Sequence, residues 1–204
     1  MIVVGICGGS GSGKSTLAHL IAQRMDCKSY VLGMDCYYRN NIDLPFEERA
    51  LLNYDSPRIF EFDELIDDIE ILGAGNPIKK KGYDFSLHLR ADSEEEIAPP
   101  DVLLVEGIHC FYDDRLMDLY NLKVFMQVDP DICILRRLVR DVNERGRTID
   151  GVIKQYLSTV KPMYERYIKN YAALADFAVT NGGRNEHSLK AITSYLNTEL
   201  AAQE

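Results

Sequence analysis

A chain of 204 residues, 46% hydrophobic and 27% charged, suits a single globular domain with one substantial core. The net charge of −9 argues against a nucleic-acid partner, and no apolar run approaches the roughly 18 residues that a membrane helix needs. Five scattered cysteines without a Cys-x-x-Cys pair fit a reduced, cytoplasmic protein, with Cys7 and Cys133 as buried thiols.

Ile2 to Cys7 has no basic lead-in and runs straight into glycines, so it reads as a first strand rather than a signal peptide. Leu17, Leu20, Ile21 and Met25 then mark one face of a helix. Tyr30 to Met34 is a short strand ending at Asp35, and Phe62, Leu65, Ile66 and Ile69 mark a second helix. Val102 to Val105 is a fully apolar strand delivering Glu106, and Leu122 to Val128 is another strand. Ile132, Leu135, Leu138, Val139 and Val142 predict the apolar face of the helix after it. Phe177 to Val179 reads as a last strand, followed by a helix from about Glu186. Apolar strands alternating with helices predict an α/β fold, a parallel sheet covered by helices on both faces. Ligands in such sheets bind at the carboxyl ends of the strands, where Asp35, Glu106 and the Gly-rich turn should converge.

Gly8-Gly9-Ser10-Gly11-Ser12-Gly13-Lys14-Ser15 satisfies G-x-x-x-x-G-K-[ST] between a strand and a helix, as the P-loop requires. Its backbone N–H groups and the following helix N-terminus, with Thr16, should cradle the phosphates of ATP or GTP. Lys14 should reach the β- and γ-phosphates, and the Ser15 hydroxyl should ligate Mg²⁺. Glu106 at its strand end should hold the same metal directly or through water. Asp35 is the candidate to accept a proton from an attacking hydroxyl. The segment from Ile132 to Asn170 carries nine Lys or Arg against four Asp or Glu, which suits a local anion site. Arg137 and Arg140 share a helix face, and Arg145-Gly146-Arg147 reads as a helix end opening into a lid. Arg140 and Arg145 are expected near the transferred phosphoryl group and the donor, and Arg136 in a solvated ion pair with Asp141 or Glu144.

These motifs together resemble the uridine kinase family, also called uridine–cytidine kinases, from the P-loop to about Gly183. Met34-Asp35-Cys36-Tyr37-Tyr38 is similar to the family's D-[SC]-[FY]-Y segment, which implies Asp35 as catalytic base and Tyr37 and Tyr38 as site walls. Asn53-Tyr54-Asp55-Ser56-Pro57 resembles N-[FY]-D-x-P, which implies that Asp55 binds the ribose hydroxyls. Tyr83-Asp84-Phe85-Ser86-Leu87-His88 resembles the segment whose Tyr and His contact the base, with Phe85 as a further wall. Glu106-Gly107-Ile108 matches E-G-I. Arg137, Arg140, Arg145 and Arg147 fall on R-x-x-R-D-x-x-E-R-G-R, and Gln155-Tyr156 on Q-Y. Arg137, Arg147 and Gln155 would then face the substrate. The chain departs from the family at Lys79-Lys80-Lys81-Gly82, at Leu89 and at Thr180-Asn181-Gly182. His19, His109 and His187 lie outside these motifs and read as structural.

The resemblance implies one P-loop kinase domain over residues 1–204, with a small base-binding insertion at about 77–95 and an Arg-rich lid at about 136–160. It implies phosphorylation of the 5′-hydroxyl of uridine or cytidine and a homotetramer. Nucleoside and nucleotide would be the partners, without nucleic acid or membrane. Two other readings stay open, a phosphoribulokinase-like sugar-phosphate kinase and a non-catalytic nucleotide-binding regulator. The second is disfavoured as a GTPase by the lack of Asn-Lys-x-Asp.

Overall fold

The computed structural model of the protein describes residues 1–203. Five parallel strands form the central sheet: β1 (Ile2–Gly8), β2 (Ser29–Gly33), β7 (Val102–Gly107), β8 (Leu122–Gln127) and β9 (Phe177–Thr180), in the order β2-β7-β1-β8-β9. Between β2 and β7 the chain makes two small antiparallel pairings, β3 (Ile78–Lys79) with β6 (Glu96–Ile97) and β4 (Tyr83–Asp84) with β5 (Leu89–Arg90). The helices are α1 (Lys14–Arg24), α2 (Phe46–Ala50), α3 (Phe62–Gly73), α4 (Asp114–Asp118), α5 (Pro130–Glu144), α6 (Ile149–Gln155), α7 (Lys161–Arg166) and α8 (Glu186–Ala201). Among the described residues, no helix is long and apolar enough to cross a membrane.

The unbroken apolar runs follow from burial of both sheet faces. Ile2, Val4 and Ile6 of β1 and Val102 and Leu104 of β7 point to one face. There they meet Leu17 and Ile21 of α1 and Leu189, Ile192 and Leu196 of α8. The alternate residues Val3, Cys7, Leu103 and Val105 point the other way, towards Leu65, Ile69 and Leu72 of α3 and Ile168 and Tyr171 after α7. Cys7 and Cys133 are buried thiols, and burial pushes Cys7 up to about 12.

The register brings the strand ends together. Ile6 of β1 and Gly33 of β2 both lie beside Glu106 of β7. The Gly-rich turn, the segment after β2 and Glu106 therefore leave the sheet side by side. Asp35 sits in a 3₁₀ turn over Met34–Tyr37, one step beyond the strand that the sequence predicts.

Helix α5 turns its polar face inward. Its buried positions are Cys133, Arg137 and Asp141, spaced by four, while Leu135 is 58% and Val139 62% exposed. The apolar pattern is helical, but that face looks outward because the polar face is turned onto the site. The exposed apolar surface continues through Ile149 and Ile153 to Leu157. Gln155 is followed by one π-helical turn, Tyr156–Val160, before α7.

Candidate active site

The P-loop owes its shape to two glycines. Gly11 (φ 84°) and Gly13 (φ 97°) occupy left-handed backbone, and a Cβ at Gly11 would lie 2.2 Å from the Cys133 carbonyl oxygen. Neighbouring Gly8, Gly9, Ser10 and Ser12 complete the turn before α1. Lys14 is buried, and its Nζ donates to the Gly9 carbonyl at 3.1 Å. The Ser15 hydroxyl donates to Glu106 Oε1 at 2.7 Å. Burial pushes the Glu106 carboxyl up, against the pull of Lys14 and with a further push from Asp35. Among the described residues, no three His, Cys, Asp or Glu side chains cluster as a metal cage.

Two cavities meet at Lys14, Ser15 and Arg140. The first runs along the Gly-rich turn and is lined by Gly11, Gly13, Thr16, Asn181, Gly183 and Arg184. Arg136 also lines it, so the expectation of a solvated ion pair is corrected. Arg136 forms no salt bridge among the described residues and lies against Gly182, where a Cβ would come within 2.9 Å of its Nη1. Gly182 provides the room because it has no side chain.

The second cavity runs from Ser10, Lys14 and Ser15 past Asp35 and Asp55 to an aromatic end. Asp35 Oδ1 accepts from the Tyr38 hydroxyl at 3.0 Å. Tyr38 packs edge-on against Tyr54 and Tyr83, at centroid distances of 5.2 and 4.9 Å. Tyr54 stacks on His88 at 4.8 Å, and Phe85 packs edge-on against Tyr83 at 5.1 Å. Tyr37 is fully buried and turned away, donating to Asp68 Oδ2 at 2.8 Å, so it is not a site wall.

His88 adopts left-handed backbone (φ 53°), a strained state for a residue other than glycine, and its buried Nδ1 has no partner. Burial, then the charges of Arg147, Arg49 and Arg145, push its pKa down, so the ring stays neutral. Arg49 gives no sequence signal within its short acidic helix. It donates Nε to the Leu87 carbonyl at 3.3 Å and Nη1 to the Leu44 carbonyl, which fixes the loop that presents His88.

The insertion carrying Tyr83 and His88 is tied down by charge. Lys79 pairs with Glu94, Lys80 with Glu95, and Lys81 with Glu64 and Asp68. Arg90 bonds Glu64 through both terminal nitrogens, at 2.7 and 2.9 Å. These pairings account for the Lys79–Lys81 run.

The lid arginines converge on one carboxylate. Asp141 is fully buried and lies within 3.6 Å of Arg137, Arg140, Arg145 and Arg147. Burial alone would raise its pKa; the guanidinium of Arg140, followed by Arg137 and Arg145, holds it below the usual carboxylate range. Gln155 Oε1 accepts from Arg137 at 2.9 Å and from Arg147 at 2.7 Å. Arg145, read from the sequence as a donor-side residue, lies 3.9 Å over the Phe85 ring and lines the aromatic cavity.

Asp55 is buried and accepts from the Thr159 hydroxyl at 3.2 Å, and Arg137 Nη1 lies 3.6 Å from its other oxygen. Burial raises its pKa, with Arg137 and Thr159 opposing. Its backbone carbonyl lies 2.8 Å from Nε2 of His109. Because a carbonyl only accepts, Nε2 carries the proton, and Nδ1 accepts from the Tyr171 hydroxyl at 3.0 Å. Burial pushes the pKa of His109 down to about 4, which keeps the ring neutral at pH 7.

The family model described as "Phosphoribulokinase / Uridine kinase family" matches residues 3–188. A protein named "Uridine kinase" from Geobacillus kaustophilus is 43% identical over 200 residues, 98% of this chain and 95% of that one. One of the same name from Bacillus subtilis is 40% identical over 200 residues, with the same coverage. The fold is shared with phosphoribulokinase from Rhodobacter spheroides, at TM-score 0.62 and 17% identity over 88% of this chain and 69% of that one.

The geometry makes two measurements decisive. Asp141→Ala removes the only carboxylate among the described residues that lies within 4 Å of all four lid arginines. Breaking a fully buried pair costs roughly 3–5 kcal/mol; because Arg140, Arg145 and Arg147 reach solvent, about 2 kcal/mol is expected, read as a lower urea midpoint. His109 binds its proton more weakly folded than unfolded, so its share of stability is present above pH about 6.5 and is lost as pH falls towards 4. Unfolding free energy should fall by about 2 kcal/mol from this group between pH 7 and pH 5, and His109→Gln should flatten that slope.

Proposed function

The chain belongs to the phosphoribulokinase/uridine kinase family, and from that premise we propose that it transfers the γ-phosphoryl group of ATP to the 5′-hydroxyl of uridine or cytidine. The observation that carries this reading is the continuous cavity joining Lys14 and Ser15, through Asp35 and Asp55, to Tyr83 and His88. A nucleoside fits that order of groups, with its 5′-oxygen towards the P-loop, its ribose at the carboxylates and its base between aromatic rings. GTP is a second candidate donor. The relatives named uridine kinase match almost the full chain, which disfavours the sugar-phosphate and regulator readings.

Each residue has a role in this reading. Gly8 to Thr16 hold the donor phosphates on backbone N–H groups, and Lys14 neutralises their charge. Asp55 accepts from the ribose hydroxyls, while Tyr83 and neutral His88 contact the base edge and Arg137, Arg147 and Gln155 close over it. Asp35 accepts the 5′-hydroxyl proton as the oxygen attacks the γ-phosphorus; the bond to the ADP oxygen breaks, and Arg140 meets the charge spread over the equatorial oxygens. Ser15 and Glu106 suit Mg²⁺, since hydroxyl and carboxylate are hard oxygen ligands and the buried carboxylate gains from a cation beside it. Held by Ser15 and Glu106, Mg²⁺ would supply positive charge against the phosphates of the donor. The reading extends to the cytoplasm and to a homo-oligomer, which the exposed apolar side chains of Leu135, Val139, Ile149, Ile153 and Leu157 support.

Steady-state assays with a nucleoside panel and ribulose 5-phosphate test the proposal directly, and turnover of ribulose 5-phosphate but not of uridine would overturn it. Lys14→Ala should cost on the order of 10³-fold in kcat, and Asp35→Asn about 10²-fold or more with little change in KM. An Asp35→Asn enzyme at wild-type kcat would remove that residue from the mechanism. 2′-Deoxyuridine should be at least about 10²-fold worse than uridine in kcat/KM, because loss of the 2′-hydroxyl leaves part of a buried carboxylate unpaired.

A further inference from the structure

The Thr159 hydroxyl touches Asp55 from a direction that the motifs do not explain. Asp55 lines the aromatic cavity, whereas Thr159 lines an adjoining cleft along the Ala50–Leu52 stretch and α6 that shares His88, Arg147 and Gln155 with it, so the hydroxyl reaches the carboxylate without itself lining the proposed nucleoside cavity. Thr159 belongs to the π turn Tyr156–Val160, four residues after Gln155. Gln155 is bonded to Arg137 and Arg147, so one helical stretch engages both the lid arginines and Asp55.

The two carboxylate oxygens have different partners. Thr159 Oγ1 is 3.2 Å from Oδ2, and Arg137 Nη1 is 3.6 Å from Oδ1. The hydroxyl has one proton and a second acceptor in reach, the Gln155 carbonyl at 3.0 Å. A hydrogen bond to an ionised oxygen is the stronger of the two. A carboxylate oxygen has two lone pairs. With Oδ2 held by Thr159, and Arg137 beside Oδ1 as an ion pair, a lone pair on each oxygen remains for the 2′- and 3′-hydroxyls.

We propose that Thr159 is a positioning residue for ribose selection: its hydroxyl, swung under Asp55 by the π turn, fixes the carboxylate so that each oxygen meets one ribose hydroxyl. The proposal rests on the reading of Asp55 as the ribose-binding group. Without the hydroxyl, the carboxylate turns about its Cβ–Cγ bond, and the 3′-hydroxyl alone is accepted nearly as well as the pair. Thr159 therefore acts on the choice between ribo- and deoxyribonucleosides and leaves donor binding alone.

The test compares kcat/KM for uridine and 2′-deoxyuridine in wild type, Thr159→Val, Thr159→Ser and Asp55→Ala. Thr159→Val keeps the shape and removes the donor. It should lower kcat/KM for uridine about tenfold, mainly through KM, and narrow the uridine to deoxyuridine ratio about fivefold or more, with the KM for ATP unchanged. Thr159→Ser should restore the ratio. A Thr159→Val enzyme with the wild-type ratio, alongside an Asp55→Ala enzyme whose ratio collapses, would overturn the proposal and leave the Asp55 reading intact. An unchanged ratio in Asp55→Ala would overturn both. If Thr159→Val does not fold, Thr159→Ala makes the same comparison.

Discussion

Four guanidinium groups gathered around one buried carboxylate organise one side of the cavity that leads from the Gly-rich turn to the aromatic rings. Arg137, Arg140, Arg145 and Arg147 would repel one another at such separations without Asp141 between them. From that anchor Arg140 reaches Ser10 in the Gly-rich turn, Arg145 reaches Phe85 in the insertion, and Arg137 and Arg147 reach Gln155. One carboxylate thus connects the phosphate cradle, the aromatic pocket and the π turn. It also explains why α5 turns its polar stripe inward and leaves Leu135 and Val139 in solvent.

The sheet supplies the other fixed point. Its strands are apolar on both faces, so their order and register are set by burial, and the polar groups are confined to the strand ends. Glu106 stands beside Ile6 and Gly33, and Ser15, on the first turn of α1, reaches back to it. The carboxylates of Asp35 and Glu106 need no special strand sequence; each is the first polar residue after its apolar run.

That is why the sheet and cradle could be read from the sequence while other parts could not. Period and run length reveal β1, β7 and β8, and the glycine spacing reveals the turn, because each reports a local constraint. The direction in which α5 faces is not local: the apolar pattern predicts a helix but not its side, and only tertiary contact with Asp55 and Gln155 makes the Arg137–Asp141 stripe the inward one. Arg136 was misread for the same reason, because the room over Gly182 lies 46 positions further along the chain. Arg49, His109 and Thr159 left no signal beyond their identity. Each acts through long-range hydrogen bonds: Arg49 to Leu87, His109 to Asp55 and Tyr171, and Thr159 to Asp55.

The π turn has a consequence of its own for how this segment can change. A π turn holds one more residue than an α-turn, so it shifts the rotational phase between α6 and α7. Gln155 ahead of it and Tyr164 behind it both depend on that phase; the Tyr164 ring lies 3.4 Å from where a Cβ on Gly9 would sit. Loss of one residue between them would rotate α7 by about 100° against the P-loop. Ser158 is exposed and makes no side-chain hydrogen bond outside its own helical stretch among the described residues. The stretch is therefore constrained in length, and in identity at Thr159 and the buried Val160, so the spacing from Gln155 to Lys161 should diverge more slowly than Ser158 between them.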